Sequence, residues 1–276
     1  MCTRFVELAV ETDLQVFAAL RTHGVPVNPF RILGTAKIAH DDIVHGTGKV
    51  GNPRSAFSSL VNRRVFGYYF SMFPFNRCTI PGCEDFTVSG SEKCYTHVES
   101  SEECKSRIID YIRENNRIFN LNCNGITFED IDISGKRFYA CSFSHTKHMG
   151  NNLEDTAFKL CFFDFSDFSS CNFTHTYMIS CVFAGSSITD TIFQNSDILH
   201  SNFNGVNGLR LNFDDSDLYF SSFIRTDLEE VTFIDCNLKK CNFSDAQLAD
   251  VDFKYSNFEE AEFDEYEEPK EGYDIL

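Results

Sequence analysis

Tryptophan is absent from the 276 residues, and there are only 6 prolines and 4 methionines. Lys and Arg total 24 against 41 Asp and Glu, a formal net charge of −17 at pH 7. Nucleic-acid affinity rests largely on cations that neutralise phosphates, so this balance argues against a general nucleic-acid binder. No apolar run of about 18 residues occurs, so no membrane-spanning helix is indicated. The first residues, MCTRFVELAVETDL, hold acidic side chains early and no apolar signal core. These absences together predict a soluble, cytoplasmic protein.

A second absence is of helical or strand periodicity across the second half of the chain. A helix repeats near every 3.6 residues and a strand about every 2; from Cys123 to Phe263 the repeat is five. Of the 29 positions in this register, only Cys123, His148 and Gly208 are not Phe, Leu, Ile or Met. Two residues before each apolar position the chain is usually small, as at Cys161, Ser166, Cys171, Thr176 and Cys181. The residue between is often Asn or Asp, as at Asn172, Asn202, Asp217 and Asn242. A short unit repeated this way buries its apolar residue only by stacking on its neighbours, which is the logic of a solenoid.

The copies Cys171-Asn172-Phe173-Thr174-His175, Ser201-Asn202-Phe203-Asn204-Gly205 and Cys241-Asn242-Phe243-Ser244-Asp245 resemble the pentapeptide-repeat family. The resemblance implies a mainly β fold, a right-handed four-sided β-helix with four repeats per coil and about seven coils here. Residues twenty apart should then stack. Phe143, Phe163, Phe183, Phe203, Phe223, Phe243 and Phe263 form one such column, and Phe173, Phe193, Phe213, Phe233 and Phe253 another. Six of the twelve cysteines (Cys141, Cys161, Cys171, Cys181, Cys236 and Cys241) take the small inward position, where buried thiols rather than disulfides are expected. Oxidation linking neighbours in the column Cys141, Cys161, Cys181 is geometrically conceivable.

The N-terminal half reads differently. Residues 1–24 suggest one or two helices and 25–55 a loop-rich stretch. Gly46-Thr47-Gly48-Lys49-Val50-Gly51 lacks the Gly-Lys-Ser/Thr ending of a phosphate loop. His40, Asp41, Asp42 and His45 read as a polar helix start rather than a metal cluster, and residues 56–75 as a small aromatic core. Then Cys78, Cys83, Cys94 and His97 supply the ligand types and number of a tetrahedral zinc site. Pro81-Gly82 provides the turn between the first pair, residues 84–93 suit a hairpin, and the closing Cys-x-x-His resembles small treble-clef zinc fingers. With all four positions filled by protein, the zinc would be structural. Ser100 and Glu103 form a capping box, from which a helix is expected to about Asn116. It should bury Ile108, Ile109, Tyr111, Ile112 and Ile118 against the solenoid's first coil.

The domain plan is therefore residues 1–76 helical and loop-rich, 77–119 a small α/β zinc module with its capping helix, 120–265 the β-helix, and 266–276 an acidic tail, with Phe263 and Tyr266 closing the rod's end. Within the rod, Lys147–Gly150 is expected to bulge around His148, and the core to thin at Gly208. His145, His175 and His200 point outward on different sides, and no nucleophile–base–orienter set is visible, so no enzyme activity is expected. Residues 121–276 carry a net −18 and residues 1–120 a net +1. The expected function is a protein-interaction or scaffold role for a rigid acidic rod, with a protein partner and no nucleic acid held by the rod. The alternative follows from the resemblance: some family members, the quinolone-resistance proteins among them, act on type II topoisomerases, and an acidic rod would then mimic DNA before gyrase.

Overall fold

The computed structural model describes residues 75–264. The expectations for residues 1–74, including the group at His40 to His45, the loop at Gly46–Gly51 and most of the aromatic stretch, lie outside the described residues, as do Tyr266 and the acidic tail.

A 3-10 turn, Tyr95–His97, leads into one α-helix, α1, Ser101–Glu114. The Ser100 hydroxyl accepts from the Glu103 backbone N–H at 3.2 Å, the N-cap half of the expected capping box. Glu102 and Glu103 lie in the first turn and Arg113 in the last, each sign matching the helix dipole. The buried stripe is Cys104, Ile108 and Ile112, spaced by four. Tyr111, expected inside, is 42% exposed, and Ile109 is only partly covered. A residue one place from the stripe is rotated about 100° around the helix, so only the stripe itself faces the core.

Twelve three-residue strands follow: β1 Arg117–Phe119, β2 Thr127–Glu129, β3 Arg137–Tyr139, β4 Lys147–Met149, β5 Ala157–Lys159, β6 Asp167–Ser169, β7 Tyr177–Ile179, β8 Ser187–Thr189, β9 Asp197–Leu199, β10 Asn207–Leu209, β11 Asp227–Glu229 and β12 Gln247–Ala249. Every pairing between them is parallel and joins residues twenty apart. β1, β3, β5, β7 and β9 form one sheet, and β2, β4, β6, β8, β10, β11 and β12 another. Two further ladders of single bridges run from Asn122 to Glu262 and from Asp132 to Asp252 in steps of twenty. The chain therefore winds as a four-sided solenoid of about seven coils. We number the faces by their first rung: face 1 at Arg117, face 2 at Asn122, face 3 at Thr127 and face 4 at Asp132.

The expected columns stack. Phe183 lies 4.9 Å from Phe203 with ring planes 2° apart, and Phe203 5.0 Å from Phe223 at 6°. Rings of adjacent columns meet edge to face, as Phe193 and Phe203 do at 89°, a geometry the aromatic quadrupole favours. The small position has a second task. The Ser196 hydroxyl donates to the Phe173 carbonyl at 2.9 Å and accepts from the Thr176 N–H at 2.9 Å. The Ser166 hydroxyl serves Phe143 and Thr146 in the same way. Cysteine keeps the donor: the Cys161 thiol donates to the Phe138 carbonyl at 3.6 Å and the Cys241 thiol to the Leu218 carbonyl at 3.1 Å. Seryl, threonyl and cysteinyl side chains thus satisfy backbone groups that the corners would otherwise leave buried and unpaired. The Asn or Asp beside them makes an Asx turn, as where the Asn172 side-chain oxygen accepts from the Thr174 N–H at 3.0 Å. This turn aids the reversal into a left-handed corner residue such as His175, φ 56°.

Both expected irregularities differ from what is found. β4 remains in the ladder, Lys147 opposite Asp167 and His148 opposite Phe168, with no bulge. Imidazole is flat like phenyl and stacks 4.6 Å from Phe168 at 3°. At Gly208 the space is filled by Leu228 and Leu211, whose side chains would lie 2.8 and 2.9 Å from an added Cβ. Leu211 occupies a position that is small in most repeats, so a large residue there compensates for the missing one. The ladder also begins one repeat before Cys123, with Ile118 inside it. Leu121, Ile126 and Ile131 fill small positions in this first coil, and they share one buried cluster with Cys104, Ile108 and Ile112. The helix closes the solenoid's N-terminal end, which covers apolar surface that a first coil otherwise exposes.

Candidate metal centre and solenoid surface

Cys78 and Cys83 flank a turn. The Cys83 N–H donates to the Ile80 carbonyl at 3.1 Å, with Pro81 next and Gly82 at φ 82°, the arrangement of a type II turn that needs glycine at its third place. A single antiparallel bridge, Arg77 to Phe86, closes this turn, and residues 84–93, expected as a hairpin, form no strands. The chain returns through a tight turn, Val88 N–H to the Lys93 carbonyl at 3.0 Å, and Cys94 then precedes the 3-10 turn that carries His97.

The four side chains converge, with their candidate ligand atoms all within 4.8 Å of one another. The Cys83 and Cys94 Sγ atoms are 3.7 Å apart, and Cys78 Sγ lies 3.6 Å from His97 Nδ1. Zn–S bonds of about 2.3 Å and Zn–N bonds of about 2.0–2.1 Å place tetrahedral ligand atoms about 3.6–3.8 Å apart. These two edges match, and the third, Cys94 Sγ to His97 Nδ1 at 3.1 Å, is about half an ångström short of it. The donor set, three thiols and an imidazole, therefore fits a zinc ion, with His97 offering Nδ1. Burial acts to raise the Cys78 thiol, but hydrogen bonds from the Cys94 and Ile80 backbone and from the Cys94 and His97 side chains outweigh it and lower the thiol to about 6. At Cys83 a hydrogen bond from the Asp85 backbone is outweighed by burial and the neighbouring Cys94 and Cys78, which raise the thiol to about 11. Ligation requires the thiolate form.

The module is tied to the first coil. The Asn122 side chain donates to the Thr87 carbonyl and its N–H to the Ser89 hydroxyl, both at 2.8 Å, while the Ser89 N–H donates to the Asn122 carbonyl at 3.0 Å. Arg107 of α1 donates to the Ser89 carbonyl at 3.2 Å. These links were not read from sequence, because Asn122 looks like any other Asn of the repeat.

Along the solenoid, most of the residues just before and just after each core position, and the corner residue after them, face out. On faces 3 and 4 these positions carry a net −6 each; on face 2 they carry −3 and on face 1 they carry +1. The acidity is thus concentrated on two adjoining faces. His145, His175 and His200 lie on separate corners: His145 stacks on Phe165 at 5.4 Å, His175 lies 3.9 Å from Glu154, and His200 lies 5.3 Å from Phe220. None approaches the others, as expected. Eleven described cysteines are free, and among them those in the repeat's small position are buried. No helix among the described residues is long and apolar enough to cross a membrane.

The fold and its corner chemistry define a parallel four-sided β-solenoid. Comparison with family models gives the finer class: residues 186–263 match the pentapeptide repeat region and residues 166–205 match pentapeptide repeats in eight copies. Residues 166–263 are therefore pentapeptide repeats, and the chain carries a domain of that family. No curated protein matches the sequence. Among solved structures, the chain is similar to HetL, a pentapeptide repeat protein involved in heterocyst differentiation regulation in the cyanobacterium Nostoc sp. strain PCC 7120. The identity is 14% over 57% of this chain and 93% of that one, with a TM-score of 0.23. A trypsin-treated variant of QnrB1, a plasmid-mediated fluoroquinolone resistance protein, matches at 17% over 55% of this chain and 92% of that one, TM-score 0.21. AT2G44920 from the Arabidopsis thaliana thylakoid lumen matches at 12%, over 50% and 71%, TM-score 0.20.

Proposed function

We propose that the protein is a non-enzymatic interaction scaffold of the cytoplasm, in which a zinc-bound module caps a solenoid that presents its faces to a protein partner. The observation that carries this reading is the division of the solenoid surface. Its interior is filled by stacked phenylalanines, and its outside sorts into two strongly acidic faces and two of weaker charge on a rigid ladder. Such a surface suits extended recognition better than chemistry. In Cys78, Cys83, Cys94 and His97 a structural zinc would link the turn at Pro81 to the start of the helix, replacing core that so short a segment lacks. The test is affinity capture with the full, metal-loaded chain. A protein that co-purifies in fixed stoichiometry supports the reading, and a chain that stays alone in every fraction counts against it.

The net −6 on each of two adjoining faces favours a second reading, a DNA mimic that engages a type II topoisomerase. A basic DNA groove would attract such a surface, and the attraction would weaken with salt. Supercoiling by gyrase, titrated with the protein at low and high salt, distinguishes the two. Inhibition that fades with salt places the mimic first, and an unaffected reaction leaves the scaffold.

A further inference from the structure

We propose that face 1, over its first three coils, is a docking surface for an acidic segment of a protein partner. The proposal rests on the scaffold reading and assigns it a surface and a partner chemistry.

Five cations elsewhere on the solenoid are neutralised in a regular way. Lys147 pairs with Asp167, Arg210 with Asp190, Arg225 with Asp245, Lys239 with Glu259 and Lys240 with Glu260. In all five pairs the carboxylate stands twenty residues away, on the neighbouring rung of the same face. Arg117, Arg137 and Lys159 break the rule. They lie on β1, β3 and β5, three consecutive rungs of face 1, and Arg117 sits directly opposite Arg137. All three are exposed, and among the described residues none of them makes an ion pair or a hydrogen bond through its side chain. Like charges on paired strands repel, whereas opposite charges there would stabilise. Arg117 directly opposite Arg137, with Lys159 opposite Tyr139 on the next rung, is therefore an uncompensated stability cost in a protein of net charge −17, and a bound anion would remove it.

The same rungs expose aromatic surface. Phe119 and Tyr139 stack at 4.8 Å with planes 13° apart. Phe119 is 57% exposed, and Tyr177 on β7, the rung after Lys159, is 44% exposed. Aromatic rings beside cations are the composition of an interface core.

The occupant is an anionic protein segment rather than nucleic acid. Three cations span too few rungs to offset repulsion between phosphates and the acidic faces. The aromatic pair stacks on itself, which leaves no slot between the rings for a base. A carboxylate-bearing chain with an aromatic or aliphatic side chain satisfies both the arginines and the rings.

The probe is a fluorescent copolymer of glutamate and tyrosine, titrated with the full chain and followed by anisotropy. Its comparators are polyglutamate and an oligothymidylate of matched length. Wild-type protein should bind the copolymer, and more tightly than either comparator. The variant Arg117→Glu/Arg137→Glu/Lys159→Glu should weaken binding about tenfold or more, and Phe119→Ala/Tyr139→Ala should weaken it by a smaller factor. The control Arg225→Glu, on another face, should leave it unchanged. Absence of copolymer binding, or tighter binding of the oligothymidylate, overturns the proposal. Sedimentation velocity adds a separate arm: a wild-type dimer that the triple variant dissociates would assign the face to a second copy and likewise overturn it. A variant that keeps its far-ultraviolet spectrum and its melting temperature excludes misfolding as the cause of lost binding. Copolymer binding that survives the triple reversal overturns face 1 but leaves the scaffold reading standing. If the partner captured by wild-type protein is released by the reversal, both stand, whereas failure to capture any partner tells against the scaffold reading alone.

Discussion

His148 continues the ring column of Phe168 at a centroid distance of 4.6 Å, yet it is wired into the core by both nitrogens. The Asn151 side-chain amide donates to its Nδ1 at 3.2 Å and also to the Phe128 carbonyl at 3.1 Å. The Thr146 hydroxyl donates to the Phe143 carbonyl, so it accepts from His148 Nε2–H at 3.0 Å. This network fixes one neutral tautomer. A second proton would sit on Nδ1, facing the NH2 group of Asn151, which can only donate.

Burial lowers His148 to about 3. The unfolded chain, with His near 6.5, then binds the proton that the folded chain refuses. Its contribution is complete above about pH 6.5 and is lost as pH falls toward about 3, at up to about 1.4 kcal/mol per pH unit. Urea unfolding at pH 7 and pH 5 should show this slope, and His148→Phe should flatten it. The substitution removes one hydrogen bond each from Asn151 and Thr146, which keep the Phe128 and Phe143 carbonyls, so His148→Phe should also cost about 1–3 kcal/mol at pH 7. Equal pH slopes in the two proteins would remove His148 from the account.

Leu211 fills the space at Gly208. Leu211→Ser should open a cavity and cost about 2–4 kcal/mol. Gly208→Leu alone should overpack the same space. The pair Gly208→Leu/Leu211→Ser restores the usual large-and-small order, so a double-mutant cycle on thermal or urea unfolding should give a favourable coupling of about 1 kcal/mol or more. Additive costs would mean that the two sites relax independently.

Ser196 serves two buried backbone groups. Ser196→Ala should cost about 1–3 kcal/mol. Ser196→Cys, which keeps a donor to the Phe173 carbonyl, should cost less, and the order of the two melting temperatures checks the claim.

One zinc per chain is expected by elemental analysis. Its removal by chelator, or Cys83→Ser, should expose α1 to hydrogen exchange before the distal coils, because the module reaches the first coil through Ser89 and Asn122. Metal-free protein with an unchanged exchange pattern would count against zinc.

The coil architecture was legible from the repeat because burial in a solenoid is local: each inward residue meets its counterpart twenty positions away. The candidate ligand cluster was legible from residue types, and the structure brings all four side chains together. What was not legible depends on contacts that the repeat does not encode. The bulge expected at His148 is absent because ring shape matters more to stacking than polarity does, once Asn151 and Thr146 satisfy the nitrogens. Tyr111 looked buried by hydrophobicity, but its angle on α1 turns it away. The uneven distribution of charge was hidden because net charge was summed along the chain instead of around it. Reading outward positions in steps of twenty would have found Arg117 opposite Arg137, with Lys159 on the following rung.

The twenty-residue ladder is also a unit of length change. Deleting or duplicating one full coil, for example residues 185–204, returns every later side chain to its own face and alters the rod by about 4.8 Å. An insertion of five residues keeps the core pattern intact but turns everything after it by one face, so the acidic faces would no longer run continuously. Selection for an unbroken surface would therefore be visible as quantised length differences, multiples of twenty, among chains that share this surface, even where the individual outward residues have changed.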